Sequence, residues 1–196
     1  MADKTDFNTS DVKFDIINPN TVKGIKKKIN SAGDEAWIEK QLNSKLLQGI
    51  LNGSDIDTIS KSFLSVLGNN IASAIRNART MTTESENGGR IDSYKELASQ
   101  GVVQKKVWIA TPDDRTRQSH IDLDGEEQDL DDEFSNGCMY PADPHGDDEE
   151  IWNCRCTMRS HIVGFKNSDG TISYVKGERG TTLHDKQMSE EKERRA

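Results

Sequence analysis

The chain has no run of 18 apolar residues, so no membrane-spanning helix is expected. Its N-terminus, MADKTDFNTSDVKF, lacks the basic-then-apolar order of an export signal. Cysteine is scarce, three in 196 residues. An odd number of cysteines without an export signal argues against a secreted disulfide scaffold and for thiols kept reduced in a cytosol. Apolar residues are also few, 32% against 31% charged. That is lean for a self-sufficient core, so one compact region with extended or partner-dependent segments is expected. Common enzyme signatures are missing: there is no His-Glu-x-x-His helix and no Walker phosphate loop. The zinc deaminase pattern, His-x-Glu followed by Pro-Cys-x-x-Cys, fails twice, at HID and at NCRC.

Charge is present, and it is unevenly spread. Residues 111–150 carry 15 Asp and Glu against two Arg, a balance of −13, so the other residues hold +5 of the net −8. The acidic block reads as a solvated loop surface that would repel nucleic acid phosphates. It is not an EF-hand: in DLDGEEQDLDDE the glycine, Gly125, stands fourth in the loop, where an EF-hand needs it sixth. The basic excess includes the run KGIKKKIN at residues 23–30. Residues 1–32 read as a flexible basic arm that could dock on an acidic or nucleic acid partner.

The fold class expected is α+β: N-terminal helices followed by a small, loop-rich antiparallel β region. Four segments are expected: the arm 1–32, a helical segment 33–101, a β-rich domain 102–176 and a polar tail 177–196. Trp37, Leu42, Leu46 and Ile50 recur at helical spacing over 33–52. A second helix, capped by Ser54, carries Ile56, Ile59, Phe63, Leu64 and Leu67 and stops at Gly68. A third runs over about 69–100 with a stripe of Ile71, Ala72, Ile75 and Ala78, weakened or bent at Gly88-Gly89. Arg76 and Arg79 share one face of it, solvated or paired with carboxylates, with a partner contact as the other reading. Past Gly101 the period changes, and KKVWIA reads as a strand. DLDGEEQDL carries an Asp-Gly hairpin signal. CTMRSHIVGF and TISYV read as two strands joined by KNSDG. The tail is read either as disordered or as a terminal helix.

Two clusters could carry chemistry. One is TPDDRTRQSH, with Asp114, Arg115, Arg117 and His120 just after a strand. The other is WNCRC, with Cys154 and Cys156 around Arg155. Zinc takes thiolate and imidazole ligands in a tetrahedron. His120, Cys154 and Cys156 supply three candidates, and His145 or Cys138 the fourth. The other readings of the cysteines are reduced, packed thiols and a reactive or redox pair. His120 could also be the general base of a metal-dependent hydrolase or nuclease, with Arg115 or Arg117 as the electrostatic clamp. The bland alternative is an Arg–carboxylate network that pins loops together. His161 and His184 receive no role.

In order, these motifs resemble the phage Mu F-like minor head protein, or phage head morphogenesis, family. The resemblance rests on SAIRNARTMTTESENGGRIDSY, on KKVWIAT, on the block Asp113 to His120, on the turn Leu123 to Gly125, on the loop Pro141 to Pro144 and on NCRCT at Asn153 to Thr157, and it covers about residues 45–165. It marks Asp114, Arg115, Arg117, His120, Gly125, Asn153, Cys154, Arg155 and Cys156 as signature positions. It implies a minor capsid component in the head interior or near the portal, met in the host cytoplasm during assembly. The partners implied are the portal, other head proteins and, through the basic arm, packaged DNA, with no membrane. Some members carry an attached toxin domain. Only about 30 residues follow the matched region here, so none is expected. Many members have a longer N-terminal region, so this chain is read as a short member or a fragment.

Overall fold

The computed structural model describes residues 32–68, 70–176 and 182–195. The basic arm expected over 1–32 lies outside the described residues, except for Ala32.

Three helices come first: α1 (Ala32–Leu51), α2 (Ile56–Leu64) and α3 (Ile71–Ser99). They pack around Ile38, Leu42, Leu46, Ile59, Phe63, Ala74, Ala78 and Met81. Alanines at 74 and 78 and a glycine at 49 let the helix backbones approach. A Cβ at Gly49 would stand 2.6 Å from Cγ1 of Ile59. The buried rows are shifted from the expected ones. Ile38, Leu42 and Leu46 form a row of i, i+4 neighbours facing α2 and α3, and Trp37 and Ile50, on either side of it, are exposed. Likewise the buried row of α3 is Ala74, Ala78 and Met81, leaving Ile71 exposed. The N-cap of α2 is Asp55 rather than Ser54: its carboxylate accepts from the Thr58 N–H at 2.7 Å.

The α3 helix is the spine of the molecule. Its 29 residues span about 40 Å at the usual rise. The first half packs on α1 and α2. The second half leans on the sheet, where Ile91 joins Leu130 and Met158. It runs through Gly88-Gly89 as one helix. Gly88 faces the Tyr140 ring, with a Cβ there 3.7 Å from its hydroxyl, so that side contact supports the helix where propensity is weakest.

The sheet has four antiparallel strands in the order β2-β1-β3-β4: β1 (Val102–Ile109), β2 (Glu127–Asp129), β3 (Thr157–Lys166) and β4 (Ile172–Tyr174). Its centre is the β1–β3 pair, in register from Val102↔Phe165 to Ile109↔Thr157 with an irregularity at Val103/Gln104. The β3–β4 hairpin forms at the expected turn, closed by Asn167 N–H to Thr171 O at 2.8 Å. The hairpin expected within DLDGEEQDL does not form. Its first half follows a short helix, α4 (Gln118–Asp122). The Asp124 carboxylate caps the Ala110 N–H at 2.9 Å. The chain then turns at Gly125, φ +86°, and β2 pairs with β1 at Lys105↔Asp129 to Val107↔Glu127. Between β2 and β3 lies one more short helix, α5 (Asp148–Ile151).

In the tail, a final helix, α6 (Leu183–Arg195), lies against α4. Met188 is buried in the core of Trp108, Ile121, Leu123 and Phe134. His184 Nε2 meets Asp124 Oδ1 at 2.9 Å, and the Arg195 guanidinium donates to the Asp113 carbonyl at 2.9 Å. The architecture is α+β as expected.

Candidate metal centre

The β1–β3 pair brings the two sequence clusters together. Leaving β1, the chain runs through Thr111 and Asp113 into α4; entering β3, it comes from Asn153 to Cys156. Thr111 Oγ1 donates to the Arg155 carbonyl at 2.8 Å. Arg155 grips Asp113 with a forked guanidinium, Nη2 to Oδ1 at 2.7 Å and Nη1 to Oδ2 in closer contact. That fork holds the Asp113 carboxyl far below the usual carboxylate range. Arg117 donates to the main-chain carbonyls of Glu150, at 3.1 Å, and Trp152. Each Arg thereby ties one block to the other.

Asn153 makes the sharp turn that presents the cysteines. Its φ is +56°, a left-handed conformation that Asn tolerates and β-branched residues do not. The α3 helix fixes the turn from outside. Thr80 Oγ1 accepts the Asn153 N–H at 3.0 Å, Arg79 donates to Asn153 Oδ1 at 3.4 Å, and Arg76 lies over the Trp152 ring at 4.9 Å. Among the described residues, Arg76 and Arg79 meet no carboxylate. Further along, Thr83 Oγ1 donates to the Cys154 carbonyl at 3.0 Å. The buried Asn87 amide donates to the carbonyls of Pro141, at 3.1 Å, and Cys156, at 3.2 Å.

Inside this frame, His120, Cys154 and Cys156 converge, their ligand atoms all within 4.8 Å of one another. All three are buried, at 1%, 2% and 3% exposure. His120 Nδ1 lies 3.7 Å from the Cys154 sulfur and 3.3 Å from that of Cys156. A tetrahedral zinc, with bonds of about 2.3 Å to sulfur and 2.0–2.1 Å to nitrogen, would put such edges near 3.5 Å. The donor set, two sulfurs and an imidazole nitrogen, is the one zinc prefers, and these residues supply three of the four positions of a tetrahedral ion. Burial and a hydrogen bond between them shift the two thiols in opposite directions. The hydrogen bond from Cys154, helped by His120, pulls Cys156 down, while the same bond and burial push Cys154 up. A cation binds thiolate and neutral imidazole, so its binding would release the protons these ligands still carry. Trp108 packs edge-on against the His120 ring, centroids 5.1 Å apart.

The fourth candidates do not join this group. His145 is exposed, its side chain at 87%, with Nδ1 3.2 Å from Asp143 Oδ1. Cys138 is buried in the same core, but burial, with Asp143 and Glu150 next, pushes its thiol up to about 12. It packs in the core with Trp108, Phe134 and Ala142. Of the other signature residues, Gly125 serves the turn into β2. Arg115 is exposed and reaches Asp113 only at 3.8 Å. Asp114 is exposed, and its neighbour Asp113 carries the ion pair. Of the groups the hydrolase reading names, His120 is buried, Arg117 donates to the carbonyls of Glu150 and Trp152, and Arg115 is exposed.

Asp113 and Asn87 lay within stretches noted for the resemblance but received no role of their own, and Glu150 was not singled out. Asp113 was next to a marked residue, and an Arg between two cysteines could have prompted the search for its carboxylate. Asn87 carries no signal in a polar helix. Glu150 was one acid among 15.

A loop-rich α+β domain whose two signature blocks are locked by an Arg–Asp fork around a buried His-Cys-Cys group is the class that this geometry defines. The chain belongs to the family described as Phage Mu protein F like protein, whose sequence model matches residues 40–159. It is similar to the minor head protein GP7 of Bacillus phage SPP1, 29% identical over 147 residues, 67% of this chain and 46% of that one. It is similar to the uncharacterized protein YqbB of Bacillus subtilis strain 168, 31% identical over 128 residues, 62% and 41% of the two chains. A third relative is the NAD(+)--arginine ADP-ribosyltransferase EFV of Enterococcus faecalis V583, 29% identical over 158 residues, 79% of this chain but 32% of that protein. The chain thus spans a third to under half of the length of these relatives. No solved structure matches it.

Proposed function

We propose that the chain is a minor head protein that acts in head morphogenesis, a structural component of the virion. In this reading it sits in the head interior or near the portal. Its partners are the portal and other head proteins, and the basic arm over 1–32 touches packaged DNA. The observation that carries the reading is membership of the Mu F-like family over residues 40–159, alongside a relative named as a minor head protein. The locked frame favours a structural role: its charged side chains are used on one another and on carbonyls.

Within that role, His120, Cys154 and Cys156 hold one zinc ion. Zinc would supply a cross-link between α4 and the start of β3, with Cys154 and Cys156 as thiolates and His120 offering Nδ1. The protein's own residues do the rest. Asn153 sets the turn, Arg155 and Asp113 close it, and Asn87 fixes the Cys156 carbonyl.

The test is to purify proheads from infected cells without any metal-affinity step, then measure this chain by mass spectrometry and zinc by elemental analysis. The reading expects the chain in the proheads and one zinc per purified chain, lost in Cys154→Ser/Cys156→Ser. A chain found only free in the cytosol overturns the head role; a chain without metal overturns the zinc.

A further inference from the structure

Glu150 lies outside every motif of the sequence, in the four-residue helix α5 within an acidic run. Its carboxylate is nevertheless held from three sides. Ser119 Oγ donates to Oε1 at 3.1 Å and to Oε2 at 3.3 Å, and Asn136 Nδ2 donates to Oε2 at 3.1 Å. The third side is His120, whose Nε2 stands 2.9 Å from Oε2. The Glu150 main chain is fixed as well, because its carbonyl accepts from Arg117 at 3.1 Å. Nε2 of His120 is fully buried and finds no aligned acceptor among the described residues. The Glu150 oxygen is within reach but off the N–H line.

A buried imidazole with one nitrogen at two sulfurs and the other at a carboxylate has a fixed division of labour. The nitrogen facing the carboxylate keeps the proton; the one facing the sulfurs presents its lone pair. We infer that Glu150 is a positioning residue for the metal centre, fixing the ring of His120 so that Nδ1 is the ligand and Nε2 the hydrogen-bond donor. The inference rests on the zinc reading above. Carboxylates placed behind a ligating His also raise its basicity, and their loss weakens metal binding by about 10- to 100-fold.

The experiment uses the whole chain, stripped of metal with a chelator. Zinc affinity is read by competition with a chromophoric chelator, and cobalt by its sulfur charge-transfer absorption. Glu150→Gln keeps the shape of the side chain and removes its charge. The expected result is zinc binding weaker by about 10- to 100-fold, with the cobalt–sulfur band retained and the unfolding midpoint of the metal-free protein little changed. Equal zinc affinity in wild type and Glu150→Gln overturns the positioning role and leaves the zinc reading standing. A wild type that binds neither zinc nor cobalt overturns both. Should Glu150→Gln fail to fold, nitrogen-15 NMR of the histidines in zinc-loaded wild type decides. Metal on Nδ1 and the proton on Nε2 of His120 are expected, and metal on Nε2 overturns the proposal.

Discussion

Glu84 offers a sharp quantitative test of the packing. It sits on the face of α3 that meets the loop after β2, only 4% exposed, and its Oε1 has no hydrogen-bond partner among the described residues. Burial, with the nearby Asp143 carboxylate adding to it, pushes its pKa up to about 9 from an ordinary 4.5. A carboxyl raised in the folded state favours the protonated form there. Its contribution to stability is complete below the unfolded value and is lost as pH rises toward the folded one. Each pH unit between the two costs about 1.4 kcal/mol. From pH ~5 to pH ~7 the native state should therefore lose about 2.5 kcal/mol through this one side chain.

Glu84→Gln cannot ionise, so it escapes that loss. Urea unfolding of both proteins across this range should show their stabilities diverging in favour of the variant by about 2.5 kcal/mol. Other titrating groups cancel in the difference as long as they do not touch Glu84. Lys106, buried and pulled down to about 8 by desolvation, gains stability only as pH rises above that value, outside the window. Parallel curves for the two proteins would refute the argument and mean that Glu84 is ionised and solvated in the folded chain.

Two further perturbations test the frame around the cysteines. Asn153→Gly should be tolerated, because either residue adopts the left-handed turn, whereas Asn153→Val should cost about 1–3 kcal/mol; equal melting temperatures for the two variants would show that the turn is not strained. Met188→Ala removes the buried anchor of α6 and should cost about 2–5 kcal/mol. Hydrogen exchange should then speed up over residues 183–195, and an unchanged, protected helix would mean that its polar contacts hold it alone.

The parts legible in the sequence were those set by local pattern. Three helices, the strand through Trp108 and the hairpin after Gly164 follow from periodicity and turn residues, since those depend on neighbours in the chain. In α1, Leu42 and Leu46 were read correctly while Trp37 and Ile50 were not, and in α3 Ala78 was read while Ala74 was missed, because which face turns inward is decided by the partner helix. The site was legible as two clusters but not as a frame. His120 and the two cysteines could be paired by chemistry alone. Asp113 against Arg155, Glu150 behind His120 and Asn87 on the Cys156 carbonyl depend on long-range packing of an acid-rich loop, where any of many carboxylates could have served.

That loop explains why a site of this kind is needed. Between the end of β1 and the start of β3 the chain has two short helices and a three-residue strand, too little regular structure to offset its conformational entropy by backbone hydrogen bonds alone. Instead, carbonyls and carboxylates are tied to side chains from both ends: Arg155 to Asp113, Arg117 to Glu150 and Trp152, Asn87 to Pro141 and Cys156. A zinc at His120 and Cys154, 34 residues apart in sequence, would close the same loop once more, and the entropy removed from the unfolded chain grows with the length of the loop closed. Metal and polar frame would then act on one segment and be non-additive. Chelation should destabilise Arg155→Ala more than it destabilises the wild type, and equal losses would mean that the two restrain different parts of the fold.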